Sequence, residues 1–97
     1  TAPDTYLWHF IISFPNDTLY DNTLHLFADL IAKLFCNEYQ ICYACHHDTD
    51  NLHFHYIVSS KSYIEENMDL NNEKMNLYLL EMSELANNFG ISLIRKE

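Results

Sequence analysis

The apolar residues of this 97-residue chain alternate between two spacings, and this alternation constrains the fold more than any single motif. Three segments are dense in β-branched and aromatic residues, as is typical of strands: Tyr6–Phe14, Tyr39–Cys45 and Leu52–Ser59. In two others the apolar residues recur every three or four positions, which indicates helices: Asn22–Phe35 and Glu73–Phe89. A short apolar run, Ile91–Ile94, predicts a fourth strand.

The elements follow one another in the order β-α-β-β-α-β. We therefore predict an α+β fold, a plait with a mainly antiparallel four-stranded sheet and both helices on one face. The second and third strands are expected to form a hairpin, closed by the polar turn His46–Asn51. The acidic, polar segment Ser60–Asn72 shows no element of its own and is expected to be mobile. Gly90, the only glycine, stands where a left-handed helix cap is needed.

The size and composition favour a single domain over residues 1–97. An apolar content of 48% over this length is enough for one two-layered core but not for a second domain. No apolar run approaches the roughly 18–20 residues that cross a bilayer, so we expect no membrane partner. Cys36, Cys42 and Cys45 lie in apolar segments and are expected to be buried, reduced thiols of a cytoplasmic protein.

The charge balance is strongly acidic. Fourteen Asp and Glu against five Lys and Arg give a formal charge of −9. Such a charge repels a polyanion at long range, because phosphate backbones are bound mainly by Lys and Arg. Composition alone therefore predicts weak and salt-sensitive binding to any nucleic acid.

Four of the six histidines are concentrated in the stretch CHHDTDNLHFHYIV, residues 45–58. Side chains two apart on a strand share a face, so His53 and His55 point one way. Their neighbours Leu52, Phe54 and Tyr56 point the other way, into a core. If the turn folds the hairpin back, His46 can supply a third ligand for a divalent metal ion, whereas His47 faces away.

Asp48 and Asp50, in the turn, could orient an imidazole by accepting its second ring N–H, or could only cap the turn. A three-histidine site with open positions suits Lewis-acid polarisation of a phosphoryl or carbonyl oxygen. The other interpretation is a group of solvent-facing histidines that binds no metal. The residues alone leave both open.

The run from His46 to His55 resembles the third motif of relaxases, the plasmid mobilisation nucleases of the HUH endonuclease superfamily. The similarity is to the group found on broad-host-range conjugative plasmids, and it extends over roughly residues 8–94. It includes a strand that ends in Ser13-Phe14, a strand that contains Gln40, and a late helix followed by Gly90-Ile91-Ser92. The histidine motif is the specific part, and the other segments support it.

The resemblance implies a divalent ion, Mg²⁺ or Mn²⁺, held by His46, His53 and His55 against the scissile phosphate of single-stranded DNA. It also implies a tyrosine nucleophile in a segment before the first strand, a segment that we expect this chain to lack. Tyr6 is the one tyrosine on that side, and its pattern is that of a strand residue. Tyr78 follows the motif on a helix, the order used by replication initiators of the superfamily, but its spacing favours core packing.

The leading hypothesis is thus a relaxase-like domain that nicks DNA at an origin-like site by metal-dependent transesterification during conjugation or mobilisation. Accessory transfer proteins are possible partners of such a domain, which could be a fragment of a longer nuclease or a degenerate relative. The principal alternative is a catalytically inactive relaxase-fold accessory protein that binds DNA or a protein. A third hypothesis, metal storage or sensing, explains the histidines but not the order of elements.

Overall fold

The structure, a computed structural model, describes residues 7–15, 21–47, 51–64, 68–90 and 94–96. The elements in these ranges are β1 (Leu7–Pro15), α1 (Asp21–Phe35), β2 (Tyr39–His47), β3 (Asn51–Ser62), α2 (Asn72–Asn88) and β4 (Ile94–Lys96). The predicted α+β class, with two helices and an antiparallel sheet, is confirmed. Neither described helix has the length and apolar composition that a membrane crossing requires.

The long strand β3 lies inside the sheet and pairs antiparallel with β1 on one side and with β2 on the other. β4 pairs antiparallel with the far edge of β1, so the strand order is β2-β3-β1-β4. Of the predicted fourth strand, residues 91–93 lie outside the described residues, and the described pairing begins at Ile94. The strand that carries two of the histidines is therefore held between two neighbours.

One face of the sheet packs against both helices. Even-numbered residues of β3 are buried and belong to one core with apolar residues of α1 and α2: Leu52, Phe54 and Tyr56, as predicted, and also Val58. Phe35 of α1 stacks on Tyr78 of α2 with ring centroids 4.1 Å apart, and the Tyr56 hydroxyl donates to the Ala28 carbonyl at 2.8 Å. The opposite face, called the open face below, carries the odd-numbered residues of β3, and no described helix packs on it.

The strands of the hairpin are longer than the sequence pattern predicted. β2 continues through His47, so His46 lies in a strand and not in the turn. β3 continues to Ser62, because Ser60 and Ser62 are small enough to be buried on the core side and so extend the alternation.

The segment Ser60–Asn72, which the sequence predicted to be mobile, makes packing and hydrogen-bond contacts in its described parts. Leu70 is fully buried, its N–H donates to the Ser60 carbonyl at 2.7 Å, and its carbonyl accepts from the Trp8 indole at 3.2 Å. The burial of Leu70, together with these two backbone hydrogen bonds, thus fixes the approach to α2.

The end of α2 agrees with the sequence, but the cysteines do not. Gly90 has a φ of 68°, the left-handed cap that was predicted, and its N–H donates to the Asn87 carbonyl at 3.0 Å. Cys36, Cys42 and Cys45 are in no disulfide, but all three are exposed, so the prediction of burial is wrong. Cys36 follows the last turn of α1, and the other two lie on β2, which is an edge strand.

Candidate functional site

The β2–β3 hairpin brings together the three histidines that the sequence singled out. His46 on β2 lies directly opposite His53 on β3, and His55 follows two residues later on the same face. The ring centroids are 6.1 Å apart for His46 and His53, 6.0 Å for His46 and His55, and 6.2 Å for His53 and His55. The three imidazoles therefore form a nearly equilateral triangle on the open face, which is called the histidine triangle below.

The histidine triangle is enclosed on its β1 side and accessible on its β2 side. His53 is only 7% exposed and lies opposite Ser13 of β1, whose hydroxyl is buried with no hydrogen-bond partner among the described residues. His55 is half-buried, and His46 is exposed. A ligand would therefore approach from the side of His46, on the edge strand.

The environment of His55 favours its neutral form. Partial burial lowers the pKa of its imidazole, and the neighbouring rings of His9, His46 and His53 lower it further. A neutral imidazole has a free nitrogen lone pair, which is the form that binds a metal ion. Burial and the neighbouring rings thus disfavour the protonated, positively charged form of His55, which would compete with a cation for the site.

The spacing of the three rings fits a divalent ion after a small adjustment. With metal–nitrogen distances of about 2 Å, three imidazoles around one ion have centroids about 5 Å apart. The ring centroids of the histidine triangle are about 1 Å further apart than this. Accordingly, in the described part of the chain no three His, Cys, Asp or Glu side chains are already at metal-binding positions. Because rotation of exposed His46 alone leaves the 6.2 Å between His53 and His55 unchanged, small shifts of all three rings would close the gap, and the three imidazole donors suit a divalent ion.

Tyr78, the one other predicted site residue that the structure describes, is not brought to the histidine triangle. Tyr78 is buried beside Phe35 in the helical layer, on the opposite face of the sheet, where burial and then Glu38 and Tyr39 raise the pKa of its hydroxyl to about 12. The predicted nucleophile Tyr6 and the predicted orienting residues Asp48 and Asp50 lie outside the described residues. The structure therefore leaves these three roles as predictions.

A fourth histidine, which the sequence reasoning missed, lies beside the histidine triangle. His9 on β1 stacks on His55, with ring centroids 5.7 Å apart and an angle of 20° between the rings. The alternation of side chains along a strand could have indicated the face on which His9 lies, because His9 is four residues before Ser13 and so shares its face of β1. What it lacked was the register, which places Ser13 opposite His53.

The acidic charge of the chain is separated from the sheet. All fourteen Asp and Glu lie outside the four described strands, whereas three of the five Lys and Arg lie within them: Lys61, Arg95 and Lys96. Exposed carboxylates are instead found on the helices, for example Glu73, Glu81 and Glu84 on α2. The described strands that present the histidines thus carry no carboxylate of their own, although Asp69 lies 3.8 Å from Lys61 of β3.

Comparison with known proteins identifies the family of the chain. No curated protein and no solved structure matches it. A family model does match, that of the relaxases described as the MobA/VirD2-like nuclease domain, and the match covers residues 2–90. It therefore spans both strands of the histidine hairpin, the strand that bears His9 and both helices. The chain belongs to the relaxase family, with a MobA/VirD2-like nuclease domain.

Proposed function

We propose that this domain nicks single-stranded DNA by metal-dependent transesterification, in the transfer of a plasmid or another mobile element. The observation that carries the proposal is the convergence of His46, His53 and His55 on a face whose strands contain no carboxylate. Membership of the relaxase family supplies the reaction class. The described strand pairing supports a four-stranded plait as the core of the domain.

The three histidines would hold a divalent ion, with Mg²⁺ or Mn²⁺ as the proposed cofactor. When bound, such an ion supplies Lewis-acid polarisation of a non-bridging oxygen of the scissile phosphate. His53 anchors the site, since it is buried between strands, and His46 can adjust because it is exposed. Asp48 and Asp50, which come between β2 and β3 in the sequence, are proposed to fix imidazole orientations.

The nucleophile is proposed to be a tyrosine hydroxyl, with water as the other candidate. Its oxygen forms a bond to phosphorus while the bond from phosphorus to the 3′ oxygen of the upstream strand breaks, and the hydroxyl proton passes to solvent or a base. Tyr6 precedes β1 and stays a candidate. Tyr78 is proposed to be a packing residue, because its ring fills the space between Phe35 and Tyr39.

A second candidate function is an accessory protein with the same fold that binds DNA or a protein without cutting. One observation favours it: among the described strand residues, no tyrosine lies on the open face. Tyr39, Tyr43 and Tyr56 all pack on the core side. This hypothesis keeps the DNA partner and removes the covalent step.

Cleavage of single-stranded DNA that requires a divalent ion tests the proposal directly. With labelled single-stranded plasmid DNA containing candidate transfer origins, we expect cleavage and a protein-linked product in Mn²⁺, and neither in EDTA. Peptide mapping of the linked product then identifies the nucleophile. Binding without cleavage in Mn²⁺ would support the accessory function, and cleavage that persists in EDTA would refute the role of the ion.

The charge separation predicts that the position of an added carboxylate decides its effect on DNA binding. The variant Gln40→Glu places a carboxylate where the amide of Gln40 lies. Gln40 lines a groove on the open face with Leu7, Cys42 and Ile57. We expect this change to weaken binding of single-stranded DNA about 3–10-fold, because it adds one negative charge beside the backbone. Fluorescence anisotropy at fixed ionic strength measures the effect.

The matched control is Asn76→Asp, which adds the same charge at an exposed position of α2. It is expected to change binding by less than about 2-fold, since screening removes most of the effect beyond roughly 10 Å. Equal effects of the two variants would mean that DNA responds only to net charge, and would contradict binding on the open face.

A further inference from the structure

His9 is the one aromatic ring that lies nearly parallel to His55 among the described ring contacts of that residue. His9 is paired with Ile57 on β3, and His55 is paired with Ile11, so the two histidines are diagonal neighbours on one face. Diagonal neighbours on a sheet are within reach of aromatic side chains. Their rings are 20° from parallel with centroids 5.7 Å apart, an offset stack.

The stack matters because the lateral support of His55 comes mainly from β1, where Ile11 lies opposite it. Its partner on β2 is Ala44, whose side chain is a single methyl group, and its own ring is half-buried. The rings of His46 and His53 meet that of His55 at 63° and 51°, so they approach it at an angle and do not stack on it. His9 therefore supplies the flat contact that limits rotation of the His55 ring.

We propose that His9 is a positioning residue, which holds the His55 imidazole in the orientation needed to share a divalent ion with His46 and His53. This inference depends on the proposed metal site. Nearly parallel rings direct their nitrogen lone pairs side by side and not toward one point, so His9 acts through His55 and not as a fourth ligand. His9 lies on β1, so it leaves the β2 side of the triangle free for substrate.

The test compares His9→Ala with His9→Phe, which keeps a planar ring but has no nitrogen. Titration calorimetry with Mn²⁺ is expected to show affinity about 10-fold weaker for His9→Ala, as is usual when support of a metal-bound histidine is lost. His9→Phe is expected to stay within about 3-fold of the unmodified chain. The control Leu7→Ala, an exposed position on the same strand and face, should have no effect.

A second measurement, on the metal-free protein, reports on His55 itself. Three-bond NMR couplings should show one χ1 rotamer of His55 in the unmodified chain and in His9→Phe, and rotamer averaging in His9→Ala. Unchanged couplings and unchanged affinity in His9→Ala would overturn the inference. So would a loss of affinity in His9→Phe as large as in His9→Ala, because the nitrogen would then be the essential group.

The failure of the metal site itself gives a different result. If the unmodified chain binds no Mn²⁺, the proposed function loses its cofactor before any substitution is made. If the unmodified chain binds Mn²⁺ and His9→Ala binds it equally well, only the role of His9 is overturned.

Discussion

Replacement of Phe54 with alanine is expected to lower the free energy of unfolding by about 3–5 kcal/mol, much of the total for a small domain. Phe54 is fully buried and makes edge-to-face contacts with three rings on three different elements: Phe14 on β1, His25 on α1 and Tyr43 on β2. A cavity at this point cannot be closed by the shift of one element, so the cost should lie near the upper end of that range.

Urea denaturation followed by fluorescence of Trp8, the one tryptophan, measures this loss. The control is Ile57→Ala on the same strand, where the side chain is 41% exposed on the open face. We expect that change to cost about 1 kcal/mol or less, because little apolar area leaves the interior. Similar losses for the two variants would contradict the division of β3 into a core face and an open face.

That division could be predicted from the sequence, because it depends only on the period of a strand. Leu52, Phe54 and Tyr56 alternate with His53 and His55, and a shift by one residue would bury both imidazoles in the apolar core. The polar turn between two strand-like segments likewise predicts a hairpin, which brings His46 opposite His53. The local sequence pattern was therefore sufficient to predict which three residues form the histidine triangle.

Other properties depend on which distant strands become neighbours, and no local pattern contains that information. His9 is forty-six residues from His55, and only the register of β1 against β3 makes them neighbours. The exposure of Cys42 and Cys45 has the same origin, since an apolar strand that becomes a sheet edge leaves part of its surface in solvent.

The distribution of charge is a further property that composition hides. A net charge of −9 predicts poor affinity for DNA if it is spread evenly. In the structure the carboxylates lie outside the described strands, and those on the helices are behind the sheet as seen from the histidine triangle. At physiological ionic strength a separation of more than roughly 8 Å screens much of their field. The acidic composition is therefore compatible with a polyanion on the open face.

The second large effect is expected from the variant that carries both His53→Ala and His55→Ala. It removes two of three proposed ligands, and we expect Mn²⁺ affinity to fall at least about 100-fold, with DNA cleavage reduced below detection. Stability should change far less than in Phe54→Ala, by about 1–2 kcal/mol, because neither imidazole belongs to the core cluster. Metal titration, the cleavage assay and urea denaturation on one preparation separate the two effects.

His25→Ala is the matched control, since it removes an exposed imidazole from α1, on the other side of the sheet. It should leave Mn²⁺ affinity and cleavage within about 2-fold of the unmodified chain, because His25 is not a proposed ligand. If the double variant retains as much Mn²⁺ as His25→Ala, the ion is bound elsewhere, for example by carboxylates of the helices, and the histidine triangle is not its site. If Mn²⁺ binding is lost but cleavage persists, the nuclease does not need the ion. Only the joint loss of binding and cleavage, with the fold retained, agrees with a phosphodiester site in which alternate residues of β3 join His46 of β2.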